Sequence, residues 1–193
     1  RRWLDYGCGN GGLVRYARQQ GWNAEGFEEG WIAEAARSRG IPILTRDQLD
    51  GRRAQYDVVT MIEVIEHCVE PVAELRQAVR LLRPDGILFL TTGNAARLRR
   101  HFLDWKYVVP EIHVSYFSPE ALGRALENAG LRAEAGIWRE GWADVIRFKA
   151  LKNLRIRKVR GVHSLLPWRV LALVLDRCYG LSKQPLGRLV VRA

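Results

Sequence analysis

The chain has 193 residues, 48% of them hydrophobic, so it can bury one substantial core but is short for two full domains. Its net charge of +10 is uneven: residues 145–193 hold twelve of the 31 lysines and arginines against one acid, Asp176, while residues 1–144 are close to neutral. The longest strongly apolar stretch, Val170 to Leu175, falls far short of the roughly 20 residues a membrane-spanning helix needs, and Cys8, Cys68 and Cys178 are too scattered for a CxxC metal site or a disulfide framework.

The scattered cysteines predict a reducing, cytoplasmic setting, and the opening Arg1-Arg2-Trp3-Leu4-Asp5, with no initiator Met and no apolar export segment, leaves room for a natural N-terminus further upstream. Residues 3–6 read as a short buried strand, followed by a glycine loop and a helix through Leu13, Val14 and Ala17 that stops at Gly21. A strand at Asn23–Phe27, a helix at Trp31–Arg39, a strand at Ile41–Leu44, a strand at Tyr56–Met61 and a helix at Pro71–Leu82 follow. A Pro84-Asp85-Gly86 turn leads to a strand at Ile87–Thr91. This alternation predicts an α/β fold, a mostly parallel sheet covered by helices. Ser118-Pro119-Glu120 reads as a helix start, with Ser as N-cap and Pro in the first turn, and Gly130 as its end, ahead of a strand near Leu131–Ile137. The last strand is placed at Gly187–Arg192, which makes residues 139–184 a basic helical insertion with a helix from Ser164 to Tyr179; the alternative places it at Ala143–Leu151.

The segment DYGCGNGG, residues 5–12, joins the first strand to the first helix, where glycines let a ligand approach the backbone and N–H groups point outward. Gly7, Gly9 and Gly12 also satisfy the GxGxxG dinucleotide pattern, and Glu28 stands at the right distance to hold ribose hydroxyls in either kind of cofactor. Asp5 separates the two readings. A carboxylate two residues before the first glycine would repel a pyrophosphate but would attract the ammonium and sulfonium of S-adenosylmethionine, so the methyl donor is favoured over NAD.

The loop resembles the first motif of class I S-adenosylmethionine-dependent methyltransferases. AEGFE, ending at Glu28, is similar to their second-strand acidic motif, and YDVVTMIEVIEH with LLRPDGILFLTTGN is similar to their fourth- and fifth-strand motifs. The resemblance covers residues 3 to about 138 and is nearest to the broad group containing ubiquinone-biosynthesis O-methyltransferases. It implies a Rossmann-like seven-stranded sheet with helices on both faces and one antiparallel strand. It also implies that Asp5, Gly7, Cys8, Gly9 and Gly11 surround the methionine half of the donor, that Glu28 binds the ribose, that Asp47 faces the adenine amino group, and that Met61 and Glu63 line the donor pocket.

Methyl transfer from an activated donor mainly requires a positioned nucleophile. Two features beyond the fourth strand stand out for that role: Glu63-Val64-Ile65-Glu66-His67, and His113 in HVSYFSP. On a helical turn, Glu63, Glu66 and His67 would share one side and, with His113, suit a divalent cation such as Mg²⁺. This resembles the metal site of small-RNA 3′-terminal 2′-O-methyltransferases and the EVLEH segment of the ubiquinone enzymes, where a cation helps bind and polarise the acceptor hydroxyl. Without a metal, His113 is the preferred general base, with Glu66 beside it.

Arg147, Lys149, Lys152, Arg155, Arg157, Lys158 and Arg160 precede an apolar helix bearing Trp168. They suit a solvated face or an anionic membrane surface, and a lipid-linked or amphipathic small-molecule acceptor would match the latter. RNA phosphates are a weaker match, since no RNA-binding motif accompanies the charge. Trp105, Tyr107, Tyr116, Phe117, Trp138 and Trp142 are candidates for an aromatic acceptor pocket or for core packing. Besides O-methyl transfer to a small molecule, the motifs leave room for a metal-dependent RNA 2′-O-methyltransferase and for a cofactor-binding module without turnover.

Overall fold

The computed structural model describes residues 1–96, 103, 107–131, 134–138 and 188–192, the last two segments by their backbone. The chain divides into two units, Arg1–Ile137 with Arg188–Ala193, and Trp138–Gly187. The basic helical insertion expected at 139–184, with its helix 164–179, lies outside the described residues, as do Trp105 and Trp142.

In the first unit, β1 (Arg2–Tyr6), β2 (Asn23–Phe27), β3 (Ile43–Leu44), β4 (Tyr56–Ile62) and β5 (Leu82–Gly93) alternate with α1 (Gly12–Gln19), α2 (Gly30–Arg37), α3 (Arg46–Asp50) and α4 (Pro71–Leu81). The α/β alternation expected from the sequence is present. The parallel sheet comprises five strands rather than nearly all of seven, in the order β3-β2-β1-β4-β5. After α5 (Pro119–Asn128) come β6 (Glu134–Trp138) and β7 (Arg188–Arg192). The backbone of β7 pairs antiparallel with β5 and stands between it and β6.

Alternation of side chains across β1 builds a core on each face. Leu4 and Tyr6 join Val59, Met61, Leu88 and Leu90 beneath α4 and α5. Trp3 packs instead on the cluster of Val14 and Ala17 from α1 with Ala33 and Ala36 from α2. The helices α1, α2 and α5 end alike. Gly21, Gly40 and Gly130 turn the chain at φ of +84°, +74° and +86°, and the next residue's N–H bonds back to Ala17, Ala36 and Leu126. Ser118 caps α5 as its sequence predicts, accepting from the Ala121 N–H at 3.1 Å, with Pro119 in the first turn.

Two elements differ from expectation. The turn at Pro84–Gly86 does not precede β5 but is an irregularity within it: Tyr56 pairs with Leu82 and Val58 with Ile87, so residues 83–86 bulge out of register, with Asp85 at φ +62°. The short α3 is a helix that no apolar periodicity announces; Thr45 and Gln48 close a capping box around its first turn.

Sheet order places the site. Because β2 lies on one side of β1 and β4 on the other, connections leave β1 and β4 toward opposite faces, and a crevice opens at their carboxyl ends. The register sets Asp5 opposite Thr60, which brings the loop after β1 alongside the loop after β4.

Candidate active site

The loop after β1 is anchored from beneath. The N–H groups of Gly7 and Cys8 both donate to the Phe27 carbonyl, at 2.9 and 3.0 Å, tying the loop to the end of β2. Gly7 and Gly11 both have φ +74°, and a Cβ at either would strike a side chain, Val64 for Gly7 and Ile41 (2.6 Å) for Gly11. Here glycine is required twice over, by conformation and by space. Gly9, at φ +52°, has open space where its Cβ would be, so a ligand can reach the backbone there.

Two carboxylates flank this loop. Asp5 is 5% exposed and accepts from the Thr60 hydroxyl at 2.6 Å. Burial is the main influence on it and, with the like charge of Glu28, outweighs the Thr60 hydrogen bond, so its pKa rises to about 6. Glu28, half-buried, accepts from the Gly9 N–H at 2.8 Å and from the Glu29 N–H at 3.0 Å, one bond to each oxygen. A carboxylate has about four acceptor positions, so Glu28 retains capacity for ligand hydroxyls.

The other residues expected at the donor are placed differently. The Cys8 side chain is buried against Gly26, where burial pushes its thiol up to about 12, so that residue offers its backbone rather than its sulfur. Met61 is fully buried in the core, its side chain enclosed beneath the sheet. Asp47 is exposed in the first turn of α3 and shares no hydrogen bond with Asp5 or Glu28. Next to it stands a residue that the sequence reading passed over. Arg46 reaches Glu29 at 2.8 Å and the Tyr6 hydroxyl at 3.3 Å and lies 4.5 Å from the Phe27 ring centroid, bracing the ends of β1 and β2.

Beyond β4, Glu63 takes φ +54°, rare for a residue with a side chain, and turns the chain into a 3-10 turn over Ile65–His67. Glu66 is fully buried; one carboxylate oxygen accepts from Thr92 at 2.9 Å and the other from the Tyr107 hydroxyl. Its backbone carbonyl accepts from the N–H groups of Val114 and Ser115. Burial and the Glu66 hydrogen bond hold the Tyr107 phenol well above its ordinary range, so it stays protonated and donating. Glu63 accepts from Thr91 at 3.1 Å, and its other carboxylate oxygen lies 3.2 Å from the Tyr107 hydroxyl, whose single proton faces Glu66. Glu66 thus ties both ends of the 107–115 segment to the turn after β4. Of the aromatic residues that suit an acceptor pocket or core packing, Tyr107 bonds to Glu66 and Phe117 lies in the core.

The two histidines come together, with ring centroids 4.7 Å apart. Nδ1 of His67 is 2.7 Å from the Ile112 carbonyl and Nδ1 of His113 is 2.6 Å from the Tyr107 carbonyl. A carbonyl only accepts, so each Nδ1 carries hydrogen, and in a neutral ring the lone pair is then on Nε2. Glu66, His67 and His113 place one ligand atom each within 4.8 Å of one another. Glu63, the fourth expected metal ligand, stands outside that group.

Residues 1–135 match the methyltransferase domain family. The chain belongs to that family. It is 32% identical over 139 residues to a malonyl-[acyl-carrier protein] O-methyltransferase of Enterobacter lignolyticus, covering 69% of this chain and 55% of that protein. It is 34% identical over 101 residues to a ubiquinone biosynthesis O-methyltransferase of Pseudomonas aeruginosa, covering 47% of this chain and 44% of the relative. The chain thus spans about half the length of these relatives. Among solved structures, a SAM-dependent methyltransferase from Archaeoglobus fulgidus superposes with a TM-score of 0.65 at 17% identity, over 100% of this chain and 85% of that one, and shares its fold.

The raised pKa of Asp5 has a consequence for stability. Its folded value of about 6 lies above the unfolded 3.8, so its contribution to folding is most favourable below pH 4 and is lost as pH rises through 6. Asp5→Asn removes that cost. The variant is expected to be more stable than the parent by about 1–3 kcal/mol at pH 8, with the gain vanishing near pH 4, in urea unfolding followed at both pH values.

Proposed function

We propose that this methyltransferase domain binds S-adenosylmethionine at the Asp5–Gly11 loop and Glu28, and transfers its methyl group to an oxygen of a small-molecule acceptor. The observation behind this reading is the pair of carboxylates flanking a loop that glycine keeps open: buried Asp5 suits the ammonium and sulfonium of the donor, and Glu28, fixed on Gly9, suits ribose hydroxyls. The donor, when bound, supplies a methyl carbon already activated by positive sulfur. The acceptor oxygen forms the new bond to that carbon, the C–S bond breaks with its electron pair going to sulfur, and the hydroxyl proton passes to Nε2 of His113. The Tyr107 carbonyl orients that imidazole. Both curated relatives are O-methyltransferases by name, which supports oxygen as the accepting atom.

Exposed Val69, Ile112 and Val114 lie in the segments that carry His67 and His113, and support an acceptor with an apolar portion. The basic residues 147–160, in the second unit, suit contact with an anionic membrane surface from a cytoplasmic position. Among the described residues no helix is long and apolar enough to cross a membrane. The same reading takes residues 1–193 as one domain, with 139–184 as a helical insertion before the last strand of a seven-stranded sheet that carries one antiparallel strand.

A second reading follows from the Glu66–His67–His113 group. Both imidazoles are oriented by carbonyls through Nδ1, the arrangement usual for metal-bound histidines. In that reading the three residues would hold a divalent cation, which would supply Lewis acidity toward the acceptor hydroxyl, and RNA would join the list of acceptors.

Calorimetry with S-adenosylhomocysteine checks the donor site. Binding weakened about tenfold or more by Glu28→Ala, with no binding of NADH, is the expected outcome; a preference for NADH would overturn the reading. In turnover assays across small phenols, acyl thioesters and RNA, His113→Ala is expected to lower kcat by about 100-fold or more. If His113 acts as a base alone, chelator leaves the parent's rate unchanged. Loss of activity with chelator and recovery with Mg²⁺ selects the cation reading, and steeply salt-dependent RNA binding selects RNA.

A further inference from the structure

Thr60 is 3% exposed in the middle of β4, opposite Asp5 in the parallel register. Three groups surround its hydroxyl: the Trp3 indole N–H at 3.1 Å, Asp5 Oδ1 at 2.6 Å and the Leu4 carbonyl at 3.4 Å. An indole nitrogen only donates, so it occupies a lone pair of Thr60 and leaves the single hydroxyl proton to choose between two acceptors. The carboxylate, at a distance typical of charge-assisted O–H···O⁻ bonds, wins over a carbonyl at the edge of bonding range. Hydrogen bonding therefore runs in one direction, from Trp3 to Thr60 to Asp5. Trp3 is itself fixed by an edge contact with Trp22, at 5.3 Å between ring centroids and 76° between planes.

We propose that Thr60, oriented by Trp3, is a positioning residue that keeps the Asp5 carboxylate ionised and turned toward the donor. The proposal rests on the reading of Asp5 as part of the donor site. Two titratable groups act on or beside Asp5. Glu28, across the loop, opposes its ionisation, and the Cys8 thiol, itself pushed up by burial, stays neutral; Arg37 of α2 acts on Cys8. Of the influences on Asp5, the Thr60 hydrogen bond is the one that favours the charged form. Removing it leaves burial and Glu28 unopposed. With its midpoint moved up by about one unit, Asp5 would be half protonated at neutral pH and its attraction for an ammonium would fall accordingly.

The test is S-adenosylhomocysteine binding by calorimetry from pH 5 to 8.5, for the parent, Thr60→Val, Thr60→Ser, Trp3→Phe and Asp5→Asn. In the parent, affinity is expected to rise with pH through about 6. With the midpoint moved up by roughly one unit, Thr60→Val should bind about twofold more weakly at pH 7 and about tenfold more weakly at pH 5. Thr60→Ser, which keeps the hydroxyl, should restore both, and Trp3→Phe should move the midpoint in the same direction by less. A role in packing alone would lower stability and leave the midpoint in place. Parent-like affinity and midpoint in Thr60→Val, while Asp5→Asn has lost binding, would overturn the proposal. Parent-like binding by Asp5→Asn would instead overturn the donor-site reading and the proposal with it. Should Thr60→Val fail to fold, an unchanged midpoint in Trp3→Phe overturns the proposal.

Discussion

The pairing of β1 with β4 is the constraint on which the rest of the site depends. It sets Asp5 against Thr60 and brings two loops side by side at the carboxyl ends of their strands. Each loop is then fixed to its neighbours: the first to Phe27 at the end of β2, the second through Glu63 and Glu66 to Thr91 and Thr92 at the end of β5. Val64 fills the space where a Cβ on Gly7 would lie, so a side chain at position 7 would displace the turn that carries Glu66 and His67. On the proposed reading, the donor and acceptor halves of the site would therefore not be independent.

The same pairing places an unfavourable charge inside the protein. Asp5 is buried where ionisation is resisted, with the Thr60 hydroxyl as its side-chain hydrogen-bond partner among the described residues and Glu28 nearby. In a structure selected for stability alone, an amide would serve better. On the proposed reading, a cationic donor would change the balance by supplying an opposite charge beside Asp5, in a setting of low dielectric where that attraction is strong. Stability given up at one residue is thus available as binding affinity.

Local signals made much of this legible in the sequence. The glycine loop, the acid ending β2, the Ser118-Pro119 start of α5 and β7 at Arg188–Arg192 each depend on neighbouring residues, and each is where those residues predict. The Glu66–His67–His113 group was also foreseen, though Glu63 proved to serve Thr91 and Tyr107. What escaped depends on partners far apart in the chain. Tyr107 reaches back to Glu66, Arg46 ties α3 to Tyr6 and Glu29, and Thr60 takes its importance from Trp3 and Asp5 on another strand. No periodicity marks such residues. The capping box of α3 was a local signal, Thr45 followed by Gln48, but without apolar spacing to draw attention to it. Met61 sat in a recognised motif, and strand alternation decided that it points into the core.

If the β1–β4 crevice is the donor site, as proposed, its two carboxylates take opposite halves of the ligand. The most direct measurement is a crystal structure of the chain with S-adenosylhomocysteine. The account predicts the ligand's ammonium against Asp5, its ribose hydroxyls on Glu28 and its sulfur over Gly7–Gly9. A ligand bound elsewhere, or one with its carboxylate turned toward Asp5, would contradict it.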